Sequence, residues 1–308
     1  MSLFKKRKVK QSVSDTVFDV SNVVIMVLLI FVIVVPLMYL IAAAFSEGEV
    51  MGSVVLLPMV SGPNGPQIGI TLRNFEYIIF QYKDGIFINS LKNTAIITIC
   101  VTLGSNILMA LAAYPLSKLN CPFRTGLLVF FLIVMLFSAG IIPSYILLSE
   151  VGLTDNIIGI ILISLTNVFN LLLFKTTFEG IPKELEESAQ LDGATSIQMF
   201  FKIIIPITLP TFASCCFFTL VGCINGYSGP LMFIRTNEQA KPMALILYEL
   251  VTLAGKSQGG NEELDFLMNN LFNIQSAGII LSTIPILLVY PFIIRYIKSG
   301  VTLGSVKG

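Results

Sequence analysis

The sequence predicts an all-α membrane protein with six transmembrane helices. Three observations carry this. Of 308 residues, 55% are hydrophobic and only 12% charged, against about 25% charged in soluble domains. The apolar residues gather into six long runs, and polar residues fall in a few stretches between them. A helix needs about 20 apolar residues to cross a hydrocarbon core, where backbone groups are satisfied only within helices or closed barrels. Unbroken runs of that length select helices.

Taken in order, the first run is Asn22 to Phe45, behind a basic opening (residues 1–21) that carries Lys5, Lys6, Arg7, Lys8 and Lys10. Basic residues directly before an apolar run read as a topogenic anchor rather than as a nuclear signal or nucleic-acid arm. At about 24 residues the run exceeds the 7 to 15 of a signal-peptide core, so it is expected to stay as helix one despite the cleavage-like Ala42 and Ala44. The remaining runs are Thr94 to Tyr114, Thr125 to Leu148, Asn156 to Lys175, Ile207 to Gly226 and Ile274 to Lys298. The membrane domain is thus expected over 22–298, followed by a tail at 299–308. Polar stretches lie at 46–93, 176–206 and 227–273 and should hold most of the chemistry.

Lys and Arg, rather than net charge, set orientation. The side of the amino terminus also receives Lys118, Arg124, Lys175, Lys183, Lys202, Arg295, Lys298 and Lys307. The opposite side has the longer loops yet holds only Arg73, Lys83, Lys92, Arg235, Lys241 and Lys256. Both termini and 176–206 are therefore expected in the cytoplasm, with 46–93 and 227–273 outside. A net charge of +1 points to no nucleic-acid partner.

Composition also excludes chemistry. Histidine and tryptophan are absent, which removes a Ser-His-Asp triad, a His-ligated metal and a His proton relay. Of five cysteines none lies in the long outer stretches, and Cys215, Cys216 and Cys223 share the fifth run; no disulfide framework or metal site is implied, and Cys there acts as a small packing residue. Gly255-Lys256-Ser257 matches the end of a P-loop, but Leu250 occupies the required upstream glycine position. The chain is expected to be no enzyme and to bind no cofactor.

The stretch 176–206 is helical in pattern without being long enough in apolar residues to cross. Pro182 suits a helix start, and Glu184, Glu186 and Glu187 follow where the positive end of the helix dipole favours carboxylates. Gly193 stops that helix after Asp192. Thr195 with Gln198 forms a capping box before Met199, Phe200 and Phe201, and Pro206 closes the segment. A helix, a hinge and a second helix result, a unit stiff enough to serve as a lever.

Glu187-Ser188-Ala189, then Gly193, then Ile203-Ile204-Ile205-Pro206 resembles the EAA signature of binding-protein-dependent ABC import permeases: E-A-A, three residues, G, nine residues, I-x-L-P. Spacing agrees throughout; Ser188 replaces the first Ala and Ile205 the Leu. The resemblance implies a type I ABC importer permease fold and makes the segment the coupling helix that docks on a separate ATPase. Glu184 and Asp192 lie on the same helix. By position, Glu187 carries the charged contact, Ala189 and Gly193 allow close approach and the turn, and Ser188 stands between Glu187 and Ala189 in the same coupling segment. Thr71-Leu72-Arg73-Asn74-Phe75 and Asn89-Ser90-Leu91-Lys92-Asn93-Thr94 are similar to segments of carbohydrate permeases of the maltose-system (MalG-like) kind. Gly140-Ile141-Ile142-Pro143-Ser144-Tyr145 and Gly152-Leu153-Thr154-Asp155-Asn156 resemble the LplC/YtcP-like branch. Only the EAA segment is highly specific. The resemblance implies an oligosaccharide cargo, an extracellular solute-binding (lipo)protein, a second homologous permease, and an ATPase dimer holding ATP and Mg.

Polar side chains within spans face a cavity or a neighbouring helix by default. Ser164, Asn167 and Asn170 recur three apart on the fourth run, and Thr94, Thr98 and Thr102 four apart on the second. Asn225 and Tyr227 stand at the outer mouth of the fifth. Asn167, Asn170, Asn225 and Tyr227 are the candidate pathway residues; the threonines, and the stripe Thr211, Cys215, Thr219 and Cys223, suit helix packing better. Two rivals stay open here: an ABC permease for a peptide or other non-sugar solute, and an ion-driven secondary carrier. The spans lack the embedded acids that such a carrier uses.

Overall fold

The computed structural model describes residues 13–48, 56–62, 65–137, 139–252, 266–267 and 269–304. The basic residues through Lys10, the loop-tip residues Pro63 and Asn64, Gly255-Lys256-Ser257 and the segment from Gly259 to Glu263 lie outside them. The described residues fall into two compact units, one within Met1–Phe75 and Gly259–Ala277, the other within Glu76–Gln258 and Gly278–Gly308.

In the first unit, helix α1 (Val13–Ala44) is followed by the antiparallel strands β1 (Met59–Gly62) and β2 (Gly65–Ile68), with Val60 opposite Gln67. Every described side chain of α1 from Val17 to Val34 is exposed, as expected of a span whose solvent is lipid. The last turn of a helix leaves carbonyls unpaired. Asn74, fully buried, donates from Nδ2 to Ala44 O (2.9 Å) and Ser46 O (2.7 Å). Phe75 sets its ring 5.0 Å from that of Phe45, and Arg73 pairs with Glu47. The Thr71-to-Phe75 segment thus has a structural task, closing the end of α1.

α2 (Arg73–Glu76) runs into a π-helical turn at Tyr77–Gln81 and then α3 (Ile86–Leu116). The second unit continues with α4 (Arg124–Leu136), α5 (Ile141–Glu150), α6 (Ile157–Ser164), α7 (Val168–Glu179), α8 (Lys183–Leu191) and α9 (Ser196–Met199). After a π-helical turn, Phe200–Ile204, come α10 (Ile205–Ile207), α11 (Leu209–Asn225), α12 (Ser228–Phe233), α13 (Met243–Thr252) and α14 (Leu271–Gly304), which crosses from one unit into the other. α3 is the hub of the second unit: it packs along α7 and α11 and touches α6 and α13.

Among the described residues, four stretches are long and apolar enough to cross a membrane: Val17–Ala44, Ile86–Leu116, Ile157–Glu179 and Leu271–Arg295. Two bent pairs, α4 with α5 at 104° and Ser196–Ile207 with α11 at 80°, raise the number to six if each is one span. Several departures from the sequence reading follow: α1 begins at Val13, inside the stretch read as the basic opening, and α14 runs on to Gly304, inside the stretch read as the tail. The helix in the second run begins at Ile86, inside the stretch read as a loop. The third run is two helices. The fourth breaks at residues 165–167, because Asn167 leaves the helical backbone (φ −134°, ψ 94°) and turns its carboxamide onto the amide of Asn170 (3.1 Å). An Asn side chain that offers the backbone an alternative partner ends one helix and caps the next.

Candidate functional site

The segment from Pro182 to Ile207 forms at the C-terminal end of α3. Pro182 is the N-cap of α8 (φ −57°, ψ 131°), one position before the predicted place. At the other end Gly193 has φ +78°, a left-handed conformation that costs other residues about 1–2 kcal/mol. Its amide donates to Gln190 O (3.0 Å), and the amide of Ala194 donates to Ala189 O (3.0 Å). This pair of bonds is a Schellman stop, which satisfies the last carbonyls of α8. Thr195 and Gln198 then close both bonds of the capping box, Thr195 N to Gln198 Oε1 at 3.0 Å and Gln198 N to Thr195 Oγ1 at 3.3 Å.

Beneath this unit lies an apolar base. Ala189, 7% exposed, sits with Phe178, Ile181, Met199 and Phe200 against Ala113 and Leu116 of α3. Glu184, Glu187, Ser188, Asp192 and Gly193 are exposed, and neither Glu184 nor Glu187 has an ion-pair partner among the described residues. Leu191 is 89% exposed and Ile197 72%. Exposed acids and bare apolar tips thus stand together on a locally capped, firmly seated helix–hinge–helix unit.

Elsewhere in the second unit a cavity of about 420 Å³ opens between α3, α6, α7, α11 and α12. Its wall combines apolar side chains such as Ile97, Phe169 and Phe218 with the polar Thr94, Ser164, Asn167, Asn170 and Thr219, the mixture and size of a small-molecule site. Asn167 and Asn170 are therefore brought together here, through the helix break rather than along a continuous face. Asn170, 1% exposed, donates from Nδ2 to Asn106 Oδ1 (3.0 Å) and Thr219 Oγ1 (3.1 Å). Asn106, fully buried, donates to Thr102 O (2.7 Å) and Thr219 Oγ1 (3.3 Å). Thr219 completes the set by donating to Cys215 O (2.9 Å).

Asn225 and Tyr227 are exposed and do not line the cavity, although Gly226 between them does. Tyr227 stacks on Tyr248 at 4.5 Å. Sequence reasoning overlooked Asn106, whose signal was plain: a lone carboxamide in the middle of an apolar run. Thr219 was assigned to helix packing and in fact joins packing to the cavity wall. Phe169 and Phe218 carried no signal, since aromatic residues within spans are ordinary.

The N-terminal end of α3 is held by a second polar network. Lys83 Nζ reaches Glu238 (3.0 Å) and Glu249 (2.8 Å), and Lys241 Nζ pairs with the same two acids. Burial pulls the Lys83 ammonium down, but its hydrogen bonds to Glu249 and Glu238 outweigh this and hold its pKa at about 12. Asn89 and Asn93 donate to Gln239 O (2.6 and 2.7 Å), and Thr94 accepts from Met243 N (2.8 Å). Asp155, with φ +57°, accepts from the amides of Arg235 (2.6 Å), Thr236 (2.7 Å) and Asn237 (3.2 Å). Led by the Thr236 amide and opposed only by slight burial, these bonds lower its pKa from 3.8 to about 2. Next to it, Asn156 caps α6, and Gly159 leaves no room for a Cβ, which would meet Leu153 O at 2.3 Å.

With this geometry in place, comparison with known proteins is informative. The family model described as binding-protein-dependent transport system inner membrane component matches residues 95–303. The Bacillus subtilis polygalacturonan/rhamnogalacturonan transport system permease protein YtcP is 33% identical over 96% of this chain and 99% of its own length. Protein LplC of the same organism is 32% identical, over 95% of each. Among solved structures, a chain of a bacterial ABC transporter involved in the import of the acidic polysaccharide alginate superposes with a TM-score of 0.78 at 28% identity, covering 93% of this chain and 98% of that one. The chain belongs to the binding-protein-dependent transport system inner membrane component family: it is a multi-pass ABC importer permease of the cytoplasmic membrane and not an enzyme.

Proposed function

We propose that this permease forms, with a second homologous permease, the membrane path for an oligosaccharide handed over by an extracellular solute-binding protein. Two copies of a separate ATPase, which hold ATP and Mg, drive it. The relatives named for polygalacturonan/rhamnogalacturonan and alginate support a glycan cargo. Both termini and the Pro182-to-Ile207 unit lie in the cytoplasm on this reading, which rests on the distribution of Lys and Arg.

The observation that carries the proposal is the capped, apolar-seated unit with its acids turned outward. Glu187 makes the charge-assisted contact with the ATPase, Glu184 and Asp192 extend the acidic surface, Ser188 keeps the exposed face slim enough to enter a cleft, and Ala189 lets α8 seat closely on its own apolar base. Gly193 sets the angle between α8 and α9. As the ATPase pair closes and reopens, the unit moves with it and biases the permease between outward-open and inward-open arrangements. Asn167 and Asn170 offer amides to sugar hydroxyls within the cavity, while Asn225 and Tyr227 meet the solute nearer its outer mouth.

The test is reconstitution of the permease pair, ATPase and binding protein in liposomes, with a panel of oligosaccharides. At least one glycan should stimulate ATP hydrolysis and accumulate in an ATP-dependent manner. Accumulation without the ATPase, or stimulation by peptides alone, would sink the proposal. A cysteine placed at Leu191 should react with an impermeant thiol reagent only from the cytoplasmic face.

A further inference from the structure

The acid next to the signature Glu187 has a different occupation. Glu186 is turned inward, its side chain 15% exposed, and pairs with Lys118 just past the end of α3. The Lys118 ammonium also lies over the ring of Tyr114, 4.7 Å from its centre. Tyr114, one helical turn earlier, donates from its hydroxyl to Met199 Sδ (3.2 Å) and packs its ring against Phe178 (6.2 Å) and Phe200 (5.4 Å). Two residues at one end of α3 therefore grip both halves of the helix–hinge–helix unit: Lys118 takes α8 through Glu186, and Tyr114 takes α9 and the turn after it.

At its opposite end α3 supplies Thr94, Ile97 and Val101 to the cavity wall. At 1.5 Å per residue, Leu116 at the end of α3 and Thr94 are roughly 33 Å apart along one rod. We infer that Lys118 and Glu186 are a positioning pair that carries motion of the ATPase-docking unit into α3, and through it to the cavity. This rests on the proposal that α8 docks on the ATPase. Glu187, exposed and unpaired, contacts the partner; Glu186, inward and paired, fastens the same helix to its own chain. Charge placement supports the division. A surface ion pair is worth little by itself, but this one is partly shielded, backed by an aromatic ring and set at the only junction where α8 meets the tip of α3 through opposite charges among the described residues.

The experiment uses the whole reconstituted complex with Lys118→Glu, Glu186→Lys and the double exchange, reading the ATPase retained on purification and the glycan imported per ATP hydrolysed. Each single variant should retain the ATPase at the wild-type amount yet import about tenfold less glycan per ATP, the size of a typical coupling free energy. The exchange should restore at least half of that loss, which a role in folding alone does not require. Lys118→Gln serves as a milder variant where charge reversal lowers yield, with a loss in the same direction. Wild-type coupling in both single variants, or no recovery in the exchange, would overturn the inference, as would a loss of import that merely matches a loss of assembled complex. Failure of the wild-type chain to retain the ATPase would instead remove the docking reading itself, and this one with it.

Discussion

The capped unit from Pro182 to Ile207 and the cavity between α3, α6, α7, α11 and α12 use polar residues in opposite ways. In the unit, Glu184, Glu187 and Asp192 stand exposed while backbone caps and an apolar base do the structural work. At the cavity wall, Asn170 and Thr219, with the buried Asn106 behind them, spend most of their hydrogen bonds on one another. A side chain excused from structural duty can be changed with loss of function alone. One woven into a buried network cannot, because removing it leaves partners unsatisfied where water is scarce. The two regions should therefore respond to mutation with different signatures.

The largest effect expected is from Glu187→Arg. Replacing a charge at a protein contact with its opposite costs roughly 2 kcal/mol or more, so ATPase retention and uptake should both fall by at least about thirtyfold, with membrane insertion and melting temperature unchanged. A fall in melting temperature would place Glu187 in the chain's own fold and erase the contrast between the two regions. Gly193→Val comes next, since a β-branched residue at φ +78° strains the hinge by about 1–2 kcal/mol. It should lower uptake more than melting temperature, because the stop lies in an exposed turn; wild-type uptake would deny the hinge its role.

Asn170→Leu should show the other signature. Interhelical hydrogen bonds in membranes average about 0.6 kcal/mol and reach about 1.7, and this substitution deletes two while stranding Asn106 Oδ1. Melting temperature and uptake should fall together. Asn167→Ser separates capping from solute contact at the neighbouring position, for Ser retains the N-cap but not the amide. A several-fold loss of uptake at unchanged stability is the expected result, and unchanged uptake would leave Asn167 as a cap only.

The same contrast explains what could be read in advance. The stop at Gly193, the box from Thr195 to Gln198 and the acid-rich start of α8 are interactions within a few residues, so sequence order alone encodes them. The cavity depends on which residues of α3, α7 and α11 meet, and no local pattern reports that Asn106 faces Asn170. The break at Asn167 was hidden because Ser164, Asn167 and Asn170 recur three apart as on a continuous helix face, and an Asn within a span is compatible with either a face or a cap. The segments near Thr71, Asn89 and Asp155 were legible only as a resemblance. In the structure they turn out to tie ends of helices: Asn74 to α1, Asn89 and Asn93 to the Gln239 turn, Asp155 to the chain after α12.

The smallest effect expected sharpens the comparison from a third place. Asp155, like Asn170, is occupied structurally, yet like Glu187 it lies near the surface, so its loss should be mild and dependent on pH. Its pKa is about 2 in the folded chain against an ordinary value of 3.8. A carboxyl whose pKa is depressed by folding contributes stability that is fully present above the unfolded value and vanishes as pH falls through the folded one. Asp155→Asn should thus melt a few degrees below wild type by an amount that is constant above about pH 5, and the gap should shrink between about pH 4 and 2. Uptake at neutral pH should change less than twofold, since the carboxylate ties the chain just past the C-terminal end of α12 and does not itself line the cavity. A gap that persists unchanged down to pH 2 would mean that the carboxylate charge is not what holds Arg235, Thr236 and Asn237 in place, and that the turn at Asp155 serves through its backbone alone.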